Sequence, residues 1–254
     1  MSGGSLRALD VIEAIAKSPL PLGLNTIIAS TGMSKATAYR LLDELCEAGV
    51  LLREPKGAGF STGPRLNAIS LNLMSNGSFR ATRHAILRTL VSQIGETCNF
   101  TTFHNGAVLY VDRVESEWPL RLHLQPGSVT PLFCTSSGKL YLSQMPALQR
   151  RRLLTAAPIP RFTPKTITDP TKLEAELQKI RRSRVSTDDE GYLAGLISLA
   201  VPVYGLNGSV MGAVAVHAPM ARLSLDRCLA YLPQVRRAAA DLGEAYRRIA
   251  ARVT

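Results

Sequence analysis

Residues 31–51 read TGMSKATAYRLLDELCEAGVL, and the reading of this stretch decides the N-terminal fold. Gly32 offers a turn conformation that other residues resist. Ser34 is a residue type that caps helix N-termini, so a helix is expected from Lys35 to about Ala48, closed by Gly49. Ala38, Leu41, Leu42 and Leu45 recur on one face of that helix. Ala36, Thr37, Tyr39 and Arg40 lie away from it in the first two turns, and Asp43, Glu44 and Glu47 follow further along the outer face. A recognition helix enters the major groove with its N-terminal residues while its far end points away. The cation and the small polar groups therefore stand where DNA would be. The acids stand where phosphates would not be, placed to set the insertion angle by repulsion. Acids near a helix C-terminus oppose the macrodipole, so helix stability does not account for them.

Upstream, Ser5 is a candidate cap for LRALDVIEAIAK, whose apolar residues form one face, and Pro19-Leu20-Pro21 ends that helix. A short helix fits Leu24–Ser30. Downstream comes VLLREPKGAGFSTGPRL, in which Val50–Glu54 and Gly59–Thr62 can pair as a small hairpin. Arg53 and Lys56 on that wing are placed to reach phosphate. Two helices, a glycine turn, a third helix and a wing make a winged helix-turn-helix. The alternative is a generic three-helix packing unit with charged solvent faces.

The chain has 254 residues, enough for two modest domains, with 46% hydrophobic and 19% charged residues. No apolar run approaches the ~20 residues that span a bilayer, and the N-terminus lacks the uninterrupted core of a signal peptide. A cytoplasmic protein with no membrane partner is expected. Cys46, Cys98, Cys134 and Cys228 are scattered, which suggests single buried thiols and neither a zinc site nor a disulfide framework. The net charge of +11 suggests an anionic partner. Yet residues 1–76 hold 7 Lys/Arg against 6 Asp/Glu, and residues 77–254 hold 23 against 13. Bulk charge does not single out the N-terminal segment, so the case for double-stranded DNA rests on local pattern.

Further along, Arg65 to Met74 has the spacing of a linker helix, interrupted near Ser75-Asn76-Gly77, and a long helix runs from about Arg80 to Ile94. CNFTTFHNGAVLYVDRVES alternates around Asn105-Gly106, a strong hairpin signal. Further strands are expected at Leu120–Leu124, Ser128–Leu132, Gly195–Val203 and Ser209–His217. Helices are expected from near Ser137, at Ala147–Thr155, at Pro170–Arg182 and from Leu225 to Val253. Strands flanked by helices at both ends suggest an α+β class with an antiparallel sheet.

The run SLRALDVIEAIA … TGMSKATAYRLLDELCEAGVLLRE … FSTGPRL resembles the N-terminal domain of the IclR family of bacterial transcriptional regulators. VDRVES, TSSGKL, PRFTPKTITD, STDDEG and AVPVYGLNGSVMGAVAV resemble, in order, segments of that family's effector domain. The resemblance covers nearly the whole chain. It implies a winged helix-turn-helix at 1–64, a linker helix at 65–79 and a GAF-like effector-binding domain at 80–254. It further implies a homodimer or homotetramer whose grip on operator DNA, through Ser34, Lys35, Ala36, Thr37, Tyr39, Arg40, Arg53 and Lys56, is modulated by a small organic acid. No cofactor or metal is implied.

TSSGK (Thr135–Lys139) precedes an expected helix, and backbone N–H groups at a helix N-terminus favour a carboxylate or phosphate. The resemblance lays this loop, with Ser136, Ser137 and Gly138, against the effector. The plain reading is an N-cap with exposed serines. Ser136-x-x-Lys139 also has the spacing of a penicillin-recognising hydrolase, but no S-D-N or K-T-G triplet follows. A serine hydrolase and an interaction module with a degenerate head stand as the alternative functions. Small residues alternate on the strands at Ser198, Ala200, Ala213 and Ala215, leaving room for a ligand above the sheet. The resemblance places Asp188, Ser198, Ala215 and His217 at effector-lining positions. Ser198 stands where cysteine is common in the family, and Ala215 and His217 where serines are common in its glyoxylate- and pyruvate-responsive type. Those departures point to a bulkier acid, an aromatic one included. His217 could donate a hydrogen bond or a charge to it, or be a structural histidine. Asp188-Asp189-Glu190 reads as a solvated acidic turn with one inward Asp rather than a metal site.

Overall fold

The structure is a computed structural model, and it describes residues 4–18, 20–57, 59–69, 78–104, 106–118, 124–155, 157–205 and 208–251. The chain divides into two compact units, Met1–Leu73 and Met74–Thr254.

The first unit holds α1 (Gly4–Ala16), α2 (Leu24–Thr31), α3 (Lys35–Glu47), β1 (Leu51–Arg53) and β2 (Phe60–Thr62). Gly32 follows α2 at φ 67 and returns its N–H to Ile28, the left-handed cap that TGM foreshadows. Ser5 lies inside α1, whose first residue is Gly4, and so does not cap it. Val11, Ile15, Ile27, Met33, Ala38, Leu42, Leu51 and Phe60 form the core, one apolar stripe from each helix closed over by the hairpin. The hairpin has a partner that its own residues do not announce. Leu22 bridges Phe60 through paired backbone bonds of 2.9 and 2.8 Å, so the chain before α2 serves as a third rung. Gly59 makes that approach feasible, since a Cβ there would stand 2.4 Å from the Leu22 carbonyl oxygen. Residues 64–69 are helical. The rest of the expected linker, 70–77, lies outside the described residues.

The second unit is built on six antiparallel strands in the order β5-β4-β3-β8-β7-β6. They are β3 (Thr97–His104), β4 (Ala107–Val114), β5 (Val129–Thr130), β6 (Ser186–Asp189), β7 (Leu196–Tyr204) and β8 (Val210–Pro219). The helices are α4 (Ser78–Ile94), α5 (Ser136–Gln144), α6 (Ala147–Thr155), α7 (Pro170–Ser183), α8 (Leu225–Leu229) and α9 (Leu232–Ala251). On one face of the sheet, α5 and α7 bury Leu140, Tyr141, Leu142, Leu173 and Leu177 against Val108, Tyr110, Ala200, Ala213 and Ala215. Thr101 and Tyr141 join strand to helix there through their hydroxyls, 2.9 Å apart. On the other face Phe79 of α4 meets Phe100 edge-on, and α9 packs along α4 and β7.

Three expectations are corrected. The space above the alanines of β7 and β8 is occupied by core side chains of α5 and α7, because small strand residues let helices approach as readily as ligands. The STDD segment is a strand, β6, rather than a turn, with Asp188 buried and Asp189 exposed. The closing helix is two helices, α8 and α9, separated at Ala230-Tyr231 just before Pro233, which suits a first turn because its missing N–H has no partner there. Residues 120–123 of one expected strand lie outside the described residues, and Leu124 is not in a strand.

One irregularity positions the site. Along β3 and β4, Phe100 faces Asp112 but Thr101 faces Tyr110, so Val111 is an extra, unpaired residue. Tyr110 stays on the α5 face while Asp112 points to α4, where it accepts from Arg83 Nε at 2.9 Å and lies 3.0 Å from His84 Nδ1.

Candidate functional site

In the first unit, Ser34 accepts the backbone N–H of Thr37 at 3.3 Å, and its hydroxyl lies 2.9 Å from that of Thr37. Both side chains therefore serve the α3 cap. Lys35, Ala36, Tyr39 and Arg40 are exposed on the outer face of α3 and line a shallow concavity together with the acids that follow them. Arg40 Nε lies 3.9 Å from Glu44. Arg53 of β1 pairs with Asp43 and spreads over the rings of Tyr39 and Phe60, at 5.7 and 5.1 Å from their centroids. Asp43 is thus the tether of the wing rather than a repelling acid. It fixes β1 against α3, so that helix and wing present as one surface. Lys56 lies in the short 3₁₀ turn Pro55–Gly57, and its side chain is outside the described ones.

In the second unit, α5 begins at the TSSGK loop. Thr135 caps it, accepting from Gly138 N at 3.1 Å and donating to Pro131 O at 2.8 Å. Gly138 is required, since a Cβ there would meet the Leu132 carbonyl oxygen at 2.2 Å. Under this N-terminus the ladder places Asp188 beside Ser198 and Ser198 beside His217, one row across β6, β7 and β8. The serines of the loop are buried rather than exposed. Ser198 donates to Ser136 Oγ at 2.7 Å, while Ser137 Oγ is buried without a partner among the described residues. His217 stands edge-on to Tyr110, its Nδ1 likewise buried and unpartnered. Burial, with the Arg113 charge adding to it, pushes the His217 pKa down to about 3, so at neutral pH it offers a hydrogen bond and no charge. Ala215 sits two pairs further along β8, opposite Ala200, within the core.

Asp188 is buried and accepts from Gly191 N at 2.9 Å and Tyr192 N at 3.4 Å. Burial raises its pKa to about 6 against the opposing pull of Lys139. The PRFTPKTITD loop braces this turn. Thr163 Oγ1 donates to Glu190 O at 2.6 Å, Thr166 Oγ1 to Gly191 O at 2.7 Å, and Lys165 holds Asp189 and Glu190 at 3.1 and 2.6 Å. Phe162 from the same loop stacks on Phe133 and meets Tyr192 edge-on.

The row of Asp188, Ser198 and His217 and the Ser136–Ser137 loop come together; Ala215 lies in the core under α5 and α7. Two cations were not assigned to the effector site from the sequence. Lys139, buried one turn into α5, acts electrostatically on Asp188 and Cys134. Arg113, buried on β4, donates to Asn99 Oδ1 at 3.0 Å and acts on His217. The VDRVES motif was visible, but only the bulge at Val111 turns Arg113 to this face. Among the described residues no hydrogen bond joins Ser136 to Lys139, and Ser136 Oγ is the acceptor of the Ser198 proton.

The chain matches the IclR helix-turn-helix domain over residues 6–55 and the bacterial transcriptional regulator IclR C-terminal domain over residues 72–244. It is 37% identical over 241 residues to a probable transcriptional regulator, SauR, of Cupriavidus necator, covering 95% of this chain and 96% of that one. It is 29% identical over 236 residues to the regulator BhcR of Paracoccus denitrificans, covering 93% and 84%. In fold it is similar to the Thermotoga maritima IclR, with a TM-score of 0.63, 24% identity and coverage of 94% and 97%. It is similar also to an IclR homolog of Microbacterium hydrocarbonoxydans complexed with 4-hydroxybenzoate, with a TM-score of 0.62, 21% identity and coverage of 96% and 99%. A DNA-reading head followed by a ligand-binding sheet domain defines a transcriptional regulator of the one-component kind. The chain belongs to the IclR family of bacterial transcriptional regulators.

Proposed function

We propose that this regulator is a cytoplasmic homo-oligomer that binds operator DNA through α3 and its wing and is modulated by a small organic acid held under the N-terminus of α5. The observation that supports the acid site is a pair of buried polar atoms, Ser137 Oγ and His217 Nδ1, without a hydrogen-bond partner among the described residues, one next to Ser136 in the loop and the other paired in the ladder with Ser198, which donates to Ser136. Buried polar groups are seldom left unpaired, and a carboxylate can accept from a serine hydroxyl, an imidazole N–H and the backbone at a helix start together. Lys139 and Arg113 are the nearby cations, Arg113 being also engaged by Glu115 at 3.1 Å. The aromatic group of Phe133, Phe162 and Tyr192 beside Asp188 supports an acid with a ring, and a protein of the same fold holds 4-hydroxybenzoate.

Calorimetric titration of the protein with 4-hydroxybenzoate and with pyruvate tests this. The ring acid is expected to bind more tightly, and Ser137→Ala to weaken it about tenfold, the worth of one hydrogen bond to a charged group. Tight binding of pyruvate with none of the ring acid would sink the ring-bearing assignment. Unchanged affinity in Ser137→Ala would remove the site from this loop.

For the head, Lys35, Ala36, Tyr39 and Arg40 face the groove, Ser34 and Thr37 hold the helix start, and Arg53 and Lys56 lie nearest the backbone. One small head makes few contacts, so a symmetric pair of heads is needed for operator affinity. Arg40→Ala is expected to weaken binding to upstream DNA by about 10- to 100-fold in a gel shift, with melting unchanged, because Arg40 is exposed. A wild-type footprint from that variant would count against the orientation of α3.

A further inference from the structure

The edge strand β6 covers only part of β7. Their pairing runs from Ser186 opposite Ala200 to Asp189 opposite Ile197, and β7 then continues through Tyr204 paired with β8 alone. At this uncovered edge lies a half-enclosed pocket of about 360 Å³. Its walls are the end of α7, with Ser183 and Arg184, the strand residues Val201, Pro202 and Tyr204, and one face of α9. The helix contributes a floor without bulk, Ala239, Ala240 and Gly243, between Arg236 and Arg247. No residue of the acid site described above lines it.

The charge is one-sided. Arg247 is engaged by Glu244 at 2.9 Å, a carboxylate shared with Arg248. Arg236 Nη2 donates to the Ser183 carbonyl at 3.2 Å, and the Arg184 guanidinium lies 5.3 Å from the centroid of the Tyr204 ring. Among the described residues neither Arg184 nor Arg236 has a carboxylate partner. The Tyr204 hydroxyl is buried and also lacks a partner among the described residues. Arg184 adds a second peculiarity. It ends α7 at φ 56, a conformation that glycine adopts freely and a side chain resists, and it caps the helix with its backbone N–H alone. Capping does not call for an arginine at this position, and the strain is borne by a residue whose head group lies at the pocket.

We propose that this pocket binds a compact organic anion, a carboxylate or phosphate ester on an apolar body, as a second small-molecule input. Two guanidinium forks suit planar or tetrahedral oxyanions, the apolar floor suits the body, and the volume lies at the small end of ligand cavities. A bound anion bridges the end of α7 to α9.

Isothermal titration of the full-length protein with phenyl phosphate, and separately with inorganic phosphate, tests the assignment. Phenyl phosphate is expected to bind with a Kd below about 1 mM, and inorganic phosphate more weakly because it leaves the floor unused. Arg184→Gly and Arg236→Ala should each weaken phenyl phosphate about tenfold. Arg184→Gly should not lower the melting temperature, since glycine suits the left-handed position; a purely structural arginine would move the melt instead of the affinity. Ser137→Ala should leave phenyl phosphate binding as it was. The proposal is overturned by absent binding, by binding that survives both arginine changes, or by binding lost in Ser137→Ala. Equal affinity for the two phosphates would overturn it as well, leaving an adventitious ion only.

Discussion

Asp112→Ala is expected to lower the melting temperature of the second unit by about 10 °C. Asp112 is 6% exposed and Arg83, its partner across the α4–sheet interface, is 0% exposed. The carboxylate accepts from Arg83 Nε at 2.9 Å and from its neighbour's backbone, Arg113 N, at 2.9 Å. The Arg83 guanidinium is further enclosed by the rings of Phe79 and Phe100, each 5.5 Å away. Removing the carboxylate takes from a buried guanidinium its Asp112 acceptor, and breaking a buried pair in this way costs about 3–5 kcal/mol. In a unit of this size each kcal/mol moves the midpoint by about 2–4 °C. The cost comes from weakening the pairing of a buried charge more than from the loss of a net attraction. Replacing both partners, as Arg83→Met with Asp112→Leu, should therefore recover much of the loss. Calorimetric melts of the two variants decide it. An unchanged melt for Asp112→Ala would mean that Arg83 finds water or another acceptor.

Asp188→Asn is expected to act in the opposite direction, raising stability at pH 7.5 by about 2 kcal/mol and hardly at all at pH 4. Burial raises the folded pKa of Asp188 from the ordinary 3.8 to about 6. The folded chain then holds this proton more tightly than the unfolded chain. Its contribution is most favourable below about pH 4, declines as pH rises from about 4 to about 6, and remains a fixed deficit above that. Each pKa unit is worth about 1.4 kcal/mol, and the amide gives up part of the gain because it has one good acceptor oxygen for the Gly191 and Tyr192 N–H groups. His217 titrates the other way over an overlapping range, its folded value lying far below its unfolded one. For that reason the prediction is a difference between variant and parent at each pH, in which the histidine cancels. Denaturant melts at both pH values check it. An equal gain at pH 4, or a loss at pH 7.5, would mean that the carboxylate is stabilised where it stands. A group that burdens the fold at neutral pH is better accounted for by the ligand site than by packing.

The order of elements was legible because its signals are local. Gly32 and Ser34 bracket the turn into α3, and alternation on either side of Gly106 marks the β3–β4 hairpin. The elements that escaped are set by distant partners. β6 is four polar residues with no apolar rhythm, and it is a strand because β7 offers an edge. Leu22 joins the wing because Gly59 lets two backbones close in. The break between α8 and α9 falls in a run whose helical periodicity carries straight across it. For the site, the TSSGK loop and the row of Asp188, Ser198 and His217 could be picked out by type and family pattern. The partners that define their chemistry could not. That Ser198 donates to Ser136, that His217 is neutral, and that Lys139 and Arg113 are the nearby cations depend on burial and register. Arg53 is a similar case, for its pairing with Asp43 is a contact ten residues apart.

The single unpaired residue at Val111 settles the electrical polarity of the two layers. In an uninterrupted β4, alternation would put Asp112 on the same side as Tyr110 and send Arg113 towards Arg83. The α5 face would then carry a carboxylate, and two guanidinium groups would be sealed together under α4. The extra residue exchanges the two side chains between layers, so that the cation lies on the α5 face with Asn99 and the acid meets Arg83 of α4. A one-residue change in chain length at this point would reverse the charge of both compartments while altering no ionisable residue.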